Sequence, residues 1–140
     1  QAADTQDRRN EPAQEFAAAA LERFRRTVKK QGRNLGKLDD EARHELRKSA
    51  KKLRYASEFF SVLFEARRRR YQSFIATLEE LQDQLGGLND LATAPQLISK
   101  LGIGDDPGAD ALLGTGKRKA LIAAAAEAHD ALVDAKRFWL

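Results

Sequence analysis

The sequence predicts an all-α fold, an antiparallel helical bundle of four to five helices with short connections. Three observations carry that prediction. Alanine is abundant, and the three prolines lie at or near expected helix starts. No run of β-branched and aromatic residues alternates over four or more positions, so strand signals are missing. Five segments instead repeat apolar residues at helical spacing, separated by short breaks. At 140 residues the chain makes one domain, large enough to bury roughly two-thirds of its unfolded surface.

Residues 1–11 are polar and lack periodicity, so a loose tail is expected there and a helical domain over 12–140. Pro12 suits the first turn of a helix running to about Arg33. It puts Phe16, Ala20, Leu21, Phe24 and Val28 on one side. Arg23, Arg26, Lys30 and Arg33 fall on the other, with Arg25 and Lys29 nearby. Gly32 and Gly36 weaken its end, and Leu35 and Leu38 are placed to staple the turn. Asp39 or Asp40 caps a second helix that extends to about Leu63. A third spans roughly Ala66 to Leu85, opens with Arg67 to Arg70, and ends at Gly86-Gly87. Its apolar positions are Tyr71, Phe74, Leu78, Leu81 and Leu85. Asn89-Asp90 is expected to cap a short fourth helix with Leu91, Leu97, Ile98 and Leu101. A turn-rich loop follows from Gly102 to Gly108. A last helix, broken near Gly114 and Gly116, runs to about Arg137.

The net charge of +4 hides an asymmetry. From Arg8 to Arg70 there are 19 Lys/Arg against 9 Asp/Glu, a balance of +10. One side of the fold should therefore be basic. The second helix concentrates this charge. At about 100° per residue, His44, Arg47, Lys48, Lys51, Tyr55 and Glu58 fall within an arc of roughly 100°. Lys52 and Arg54 flank that arc. Leu46, Ala50, Leu53, Ser57, Phe60 and Phe64 gather opposite. An ordinary wet face mixes charge signs to gain i,i+4 pairs. This one stacks cations turn after turn. Its composition suits phosphate: arginine offers planar forks, lysine point charges and Tyr55 a neutral donor. His44 is expected at the positive end of its helix, where free N–H groups also favour an anion.

Other chemistries find little support. Cysteine is absent, which excludes disulfides and thiolate zinc sites and fits a reducing cytoplasm. No apolar run approaches ~18 residues and no signal peptide is visible, so no membrane contact is expected. The chain starts at Gln1 and lacks methionine, as a processed product or a piece of a longer protein would. His44 and His129 lie in different helices, without the Glu-x-x-His or His-Glu-x-x-His spacings of metal sites. Glu79, Glu80 and Asp83 read as a solvated helix face. The glycines near Gly102 to Gly116 do not form a phosphate loop. No catalytic residue, metal or cofactor is expected.

Two stretches resemble a known family. HELRKSAKKLRY with ASEFF, from His44, is similar to the signature helix of the CHAD family (conserved histidine α-helical domain). LQDQLGGLNDLATA, Leu81 to Ala94, resembles its second landmark, and a Phe-Trp after a long last helix fits as well. The likeness covers about Phe16 to Trp139. It implies an all-helical domain, typically two four-helix units, that binds inorganic polyphosphate through a basic surface without established catalysis. Carried over, it makes His44, Arg47, Lys48, Lys51, Lys52, Arg54 and Tyr55 the ligand contacts. The first helix's basic stripe of Arg23, Arg26, Lys30 and Arg33, read from its spacing, would extend the track. Asn89-Asp90 looks more like a capping element than a contact.

Only the C-terminal four-helix unit is resembled. That implies a missing N-terminal half or a homodimer in its place, and many relatives are fused to a triphosphate-tunnel (CYTH) domain. A cytoplasmic location, including polyphosphate granules, is the corresponding expectation. The alternatives are a non-specific nucleic-acid binder and an interaction bundle with an acidic partner. No helix-turn-helix pattern or aromatic platform supports the first. A polyphosphate or nucleoside-triphosphate hydrolase would need a general base and a metal cage from a companion domain.

Overall fold

A computed structural model describes residues 2–109 and 115–140, with side chains from Asn10 onward except Thr115. Among the described residues there are four α-helices: α1 (Ala2–Gln31), α2 (Asp40–Phe60), α3 (Arg68–Leu101) and α4 (Thr115–Asp134). Short 3₁₀ segments, Leu35–Lys37 and Ser61–Arg67, join the first three. No strand occurs among the described residues. The fold is all-α, as the helical spacing predicts.

Neighbours run antiparallel, as cross-helix contacts show. Phe16 of α1 packs edge-on against Phe60 at the end of α2, and Gln14 Nε2 donates to the Leu63 carbonyl at 2.8 Å. Arg54 of α2 reaches Gln82 of α3, while Arg43 and Arg47 share a small pocket with Leu88 and Asn89. Gly87 of α3 meets Leu121 of α4, and Phe74 meets Trp139 beyond it. Closing the ring, His129 of α4 bonds the Val28 carbonyl of α1. The interior is a continuous cluster that includes Leu21, Val28, Leu46, Leu53, Phe74, Leu81 and Leu132.

Several element limits differ from expectation. Helix α1 starts at Ala2, ahead of Pro12, which lies inside it. Polar residues without an apolar stripe still extend a helix nucleated by packing downstream, since propagation costs little once a nucleus exists. Helix α3 does not end at Gly86-Gly87; it runs on to Leu101, with Asn89, Asp90 and Pro95 inside it. No separate helix is capped at Asn89-Asp90. Core positions continue in register through Leu85 and Leu88, so burial outweighs the roughly 1 kcal/mol that each glycine costs. Gly87 faces α4, where a Cβ would meet Leu121 Cδ2 at 3.4 Å, close to ordinary contact. The true stop is Gly102, left-handed at φ 68°, where Ile103 N–H returns to the Ile98 carbonyl. Gly116 lies within α4 and breaks nothing; Gly114 falls outside the described residues.

Asp39 is the cap of α2, its carboxylate accepting the Ala42 N–H at 2.8 Å. That helix ends at Phe60, short of Leu63, because the chain tightens into a 3₁₀ stretch and Phe64 turns non-helical. Phe16, expected in the core, is 67% exposed. It sits on the shoulder of α1, with its ring edge-on to the half-buried ring of Phe60. Leu97 and Leu101 are likewise exposed.

Two tertiary devices lock the ends. The imidazole of His129 is buried, and its Nε2–H donates to the Val28 carbonyl at 3.0 Å. Gly32, one turn on, leaves the space for that ring; any Cβ would overlap it. At the other end Glu22 Oε2 accepts the Trp139 indole N–H at 3.0 Å, and Oε1 takes Arg137 at 2.9 Å. Burial pushes the Glu22 carboxyl up. Bonds from Trp139 and Arg137, and the charges of Arg137 and Arg25, more than offset that and leave it below the ordinary 4.5. A depressed carboxylate contributes stability that is present above its unfolded pKa and lost as pH falls through the folded value. Glu22→Gln is therefore expected to lower stability at pH 7 by about 1–3 kcal/mol. The gap from wild type should shrink as pH drops below 4.5, read by urea denaturation at each pH. A constant gap would mean that the ionised carboxylate is not what matters.

Candidate anion-binding site

Helix α2 is pinned from below. Leu46, Ala50, Leu53 and Ser57 are buried, as is Arg43, whose guanidinium binds the Leu38 carbonyl and Asp40. The opposite side is turned to solvent. His44, Lys48, Lys51, Lys52 and Tyr55 are exposed; Arg47 and Arg54 are half-buried. Among the described residues, His44, Arg47, Lys51 and Lys52 have no ion-pair partner. Lys48 binds Glu45 at 2.8 Å, and that bond holds the Glu45 carboxyl below its ordinary value. Lys51 Nζ lies 5.8 Å from the centre of the Tyr55 ring, a cation–π distance.

Arg54 is more engaged than its spacing suggests. Its Nε donates to Glu58 at 2.9 Å, and its guanidinium also reaches Gln82 at 3.2 Å and Glu79 at 3.5 Å. The Glu58 bond, more than its other neighbours, raises the pKa further above the ordinary arginine value. The two residues from α3 are invisible to any reading of α2 alone. Glu79 thus faces an arginine, and Glu80 accepts from Gln84 at 2.8 Å. No group of three or more metal-ligating side chains occurs among the described residues.

His44 does not sit on free amides. The helical ladder already begins with Arg43 N–H to the Asp39 carbonyl. The amides ahead of it belong to Asp40, Glu41 and Ala42, of which Asp39 caps the last. Asp39 caps that helix end and Asp40 and Glu41 lie in its first turn, so His44 contributes through its ring alone. The ring borders a small pocket between α2 and α3 with Arg43, Arg47 and Asn89. Asn89 was expected to cap a helix; it lies instead beside the row.

The two basic rows are on neighbouring helices but not on facing edges. Arg47 and Arg54 lean toward α3, through the pocket at Asn89 and the contacts to Glu79 and Gln82. On α1 the row leans the other way. Arg26 Nε is 3.9 Å from Glu22, which is bound to Arg137, and Arg33 lines a cleft with His129 and Asp130 of α4. Arg23 caps the Phe24 ring at 5.9 Å, and Lys30 is exposed. The crest of α2 separates the rows, and Lys48 and Lys52 stand on it, opposite buried Ala50.

A closed ring of four antiparallel helices, with one of them presenting histidine, arginine, lysine and tyrosine outward, defines an all-α domain of the histidine-bearing helical type. The model of the CHAD domain matches residues 1–99, and the chain belongs to that family. CHAD domains are associated with polyphosphate-related proteins. The match takes in α1, α2 and nearly all of α3, starting earlier and stopping sooner than the likeness read from Phe16 to Trp139. Comparison with curated proteins and with solved structures gives no match. No helix among the described residues is long and apolar enough to cross a membrane.

Proposed function

We propose that this chain binds inorganic polyphosphate without turning it over, through the outward row of α2. What carries the reading is that, among the described residues, His44, Arg47, Lys51 and Lys52 lack ion-pair partners on a helix whose other side is locked in the core. Like charges at i,i+4 repel, and a polyanion laid along the row relieves that repulsion. Membership of a family associated with polyphosphate-related proteins supports the same ligand. His44, Arg47 and Lys51 would grip the chain on the α3 side. Lys48 and Lys52 would carry a long chain across the crest toward Arg23, Arg26, Lys30 and Arg33. Arg54 would join by exchanging Glu58 and Glu79 for phosphate oxygens, and Tyr55 by donating its hydroxyl. Polyphosphate has no bases to stack, so exposed Tyr55 and Phe59 at the end of the row are not needed as a stacking platform for it.

The test is calorimetric titration with long-chain polyphosphate, tripolyphosphate and duplex DNA at matched phosphate concentration and at two salt levels. The long chain is expected to bind tightest, because it alone spans both rows, and log K should fall linearly with log salt as counterions are released. DNA is expected to bind clearly more weakly. Equal affinity for DNA would make the row a generic polyanion binder, and no binding at moderate salt would make it a solvated face.

A further inference from the structure

A second concentration of positive charge lies away from the α2 row, where the start of α3 meets the end of α4. A cleft of about 360 Å³ opens there, and Arg25, Arg70, Lys136 and Arg137 line it, with Asp134 as the carboxylate on its wall. The cations come from three separate parts of the chain: Arg25 from α1, Arg70 from α3, and Lys136 and Arg137 from the turn after α4.

This charge is under-compensated. One carboxylate oxygen, Glu22 Oε1, serves three guanidiniums: Arg137 at 2.9 Å, Arg25 at 3.6 Å and Arg26 at 3.9 Å. Arg70 and Lys136 are exposed and have no ion-pair partner among the described residues. Arg25 is nine-tenths buried; one nitrogen donates to the Val133 carbonyl at 2.9 Å, and its Nε has no hydrogen-bond partner among the described residues. Burial first, and then the nearby Arg137, lowers its pKa from the ordinary arginine value. Arg70 is also the last of four consecutive arginines at the N-terminal end of α3, where the helix dipole disfavours cations. A cluster built this way costs stability until an anion enters it.

We propose that this corner is a separate site for a compact, multiply charged phosphate, orthophosphate or pyrophosphate, held by Arg70, Lys136 and Arg137 over the buried charge of Arg25. Shape decides against a chain as its ligand. The α2 row is linear and suits a linear polyanion. Here the cations converge on one cleft from three elements, which suits a small oxyanion approached from several sides. The site does not depend on the reading of α2.

Calorimetry with inorganic pyrophosphate, at low salt, tests it on four proteins. Wild type is expected to bind one equivalent. Arg70→Gln with Lys136→Gln should weaken that binding at least tenfold, and Lys136→Gln alone by about threefold. Both residues are exposed and, among the described residues, make no ion pair or side-chain hydrogen bond, so urea denaturation without anion should show stability unchanged or slightly raised as the charge crowding is relieved. The α2 variant Arg47→Glu/Lys51→Glu/Lys52→Glu should bind pyrophosphate within about twofold of wild type. No heat at millimolar pyrophosphate overturns the proposal. So does binding that the α2 variant loses and the Arg70/Lys136 variant keeps, which would place pyrophosphate on the α2 row.

Discussion

Replacing Arg47, Lys51 and Lys52 together with glutamate is expected to lower affinity for long-chain polyphosphate by about a thousandfold or more. Each side chain removed forfeits a charge-assisted contact of roughly 1.5–3 kcal/mol, so three forfeit about 4 kcal/mol at least. The introduced carboxylates then repel the ligand and add to that loss. The stability of the bundle should barely change, because none of the three residues holds an ion pair or a side-chain hydrogen bond among the described residues. Spacing alone would have chosen Arg54 instead of Lys52. The structure argues against it: a glutamate at 54 would face both Glu58 and Glu79, and a loss of binding could then come from a damaged fold. Affinity unchanged in the triple variant, with helicity intact, would remove the row from the site.

The second large effect is on stability. Phe138→Ala is expected to cost about 3–5 kcal/mol and to lower Tm by roughly 10–20 °C. The ring is fully buried and makes edge-to-face contacts with Phe64, Tyr71, Phe74 and Trp139. Those partners come from the 3₁₀ segment after α2, from α3 and from the turn beyond α4. One ring therefore ties three elements together, and truncation leaves a cavity that none of them can close by itself. Urea denaturation measures the cost. A loss below about 1 kcal/mol would mean that the aromatic cluster is not the clamp described.

Helix α2 was legible almost in full from the sequence. Its cap, its buried side and its outward cations follow from period and composition within one element, and Asp39, Leu46, Ala50 and Leu53 sit where spacing puts them. Helix α3 was misread at Gly86-Gly87. A glycine pair usually signals a stop, but here neither residue takes the left-handed conformation that ends a helix, and burial of Leu85 and Leu88 on either side carries the helix through. The unbroken spacing of Leu81, Leu85 and Leu88 was the signal that the helix continues. For the site, the sequence yields the identity of the exposed cations but not their pairing. Glu79, Gln82 and Asn89 act across a helix interface, at separations that no local pattern encodes. The divergence of the two basic rows is likewise tertiary: it depends on α1 leaning toward α4 while α2 leans toward α3. The Glu22 hub, with partners more than a hundred residues away, left one trace, a lone carboxylate among arginines.

The most direct test of the central claim is a backbone amide NMR titration of this 140-residue protein with long-chain polyphosphate. The amides from His44 to Tyr55 should shift first and furthest, with those near Arg23, Arg26, Lys30 and Arg33 following as the chain extends. Shifts confined to the corner at Arg70 and Lys136, or spread evenly over the surface, would contradict it.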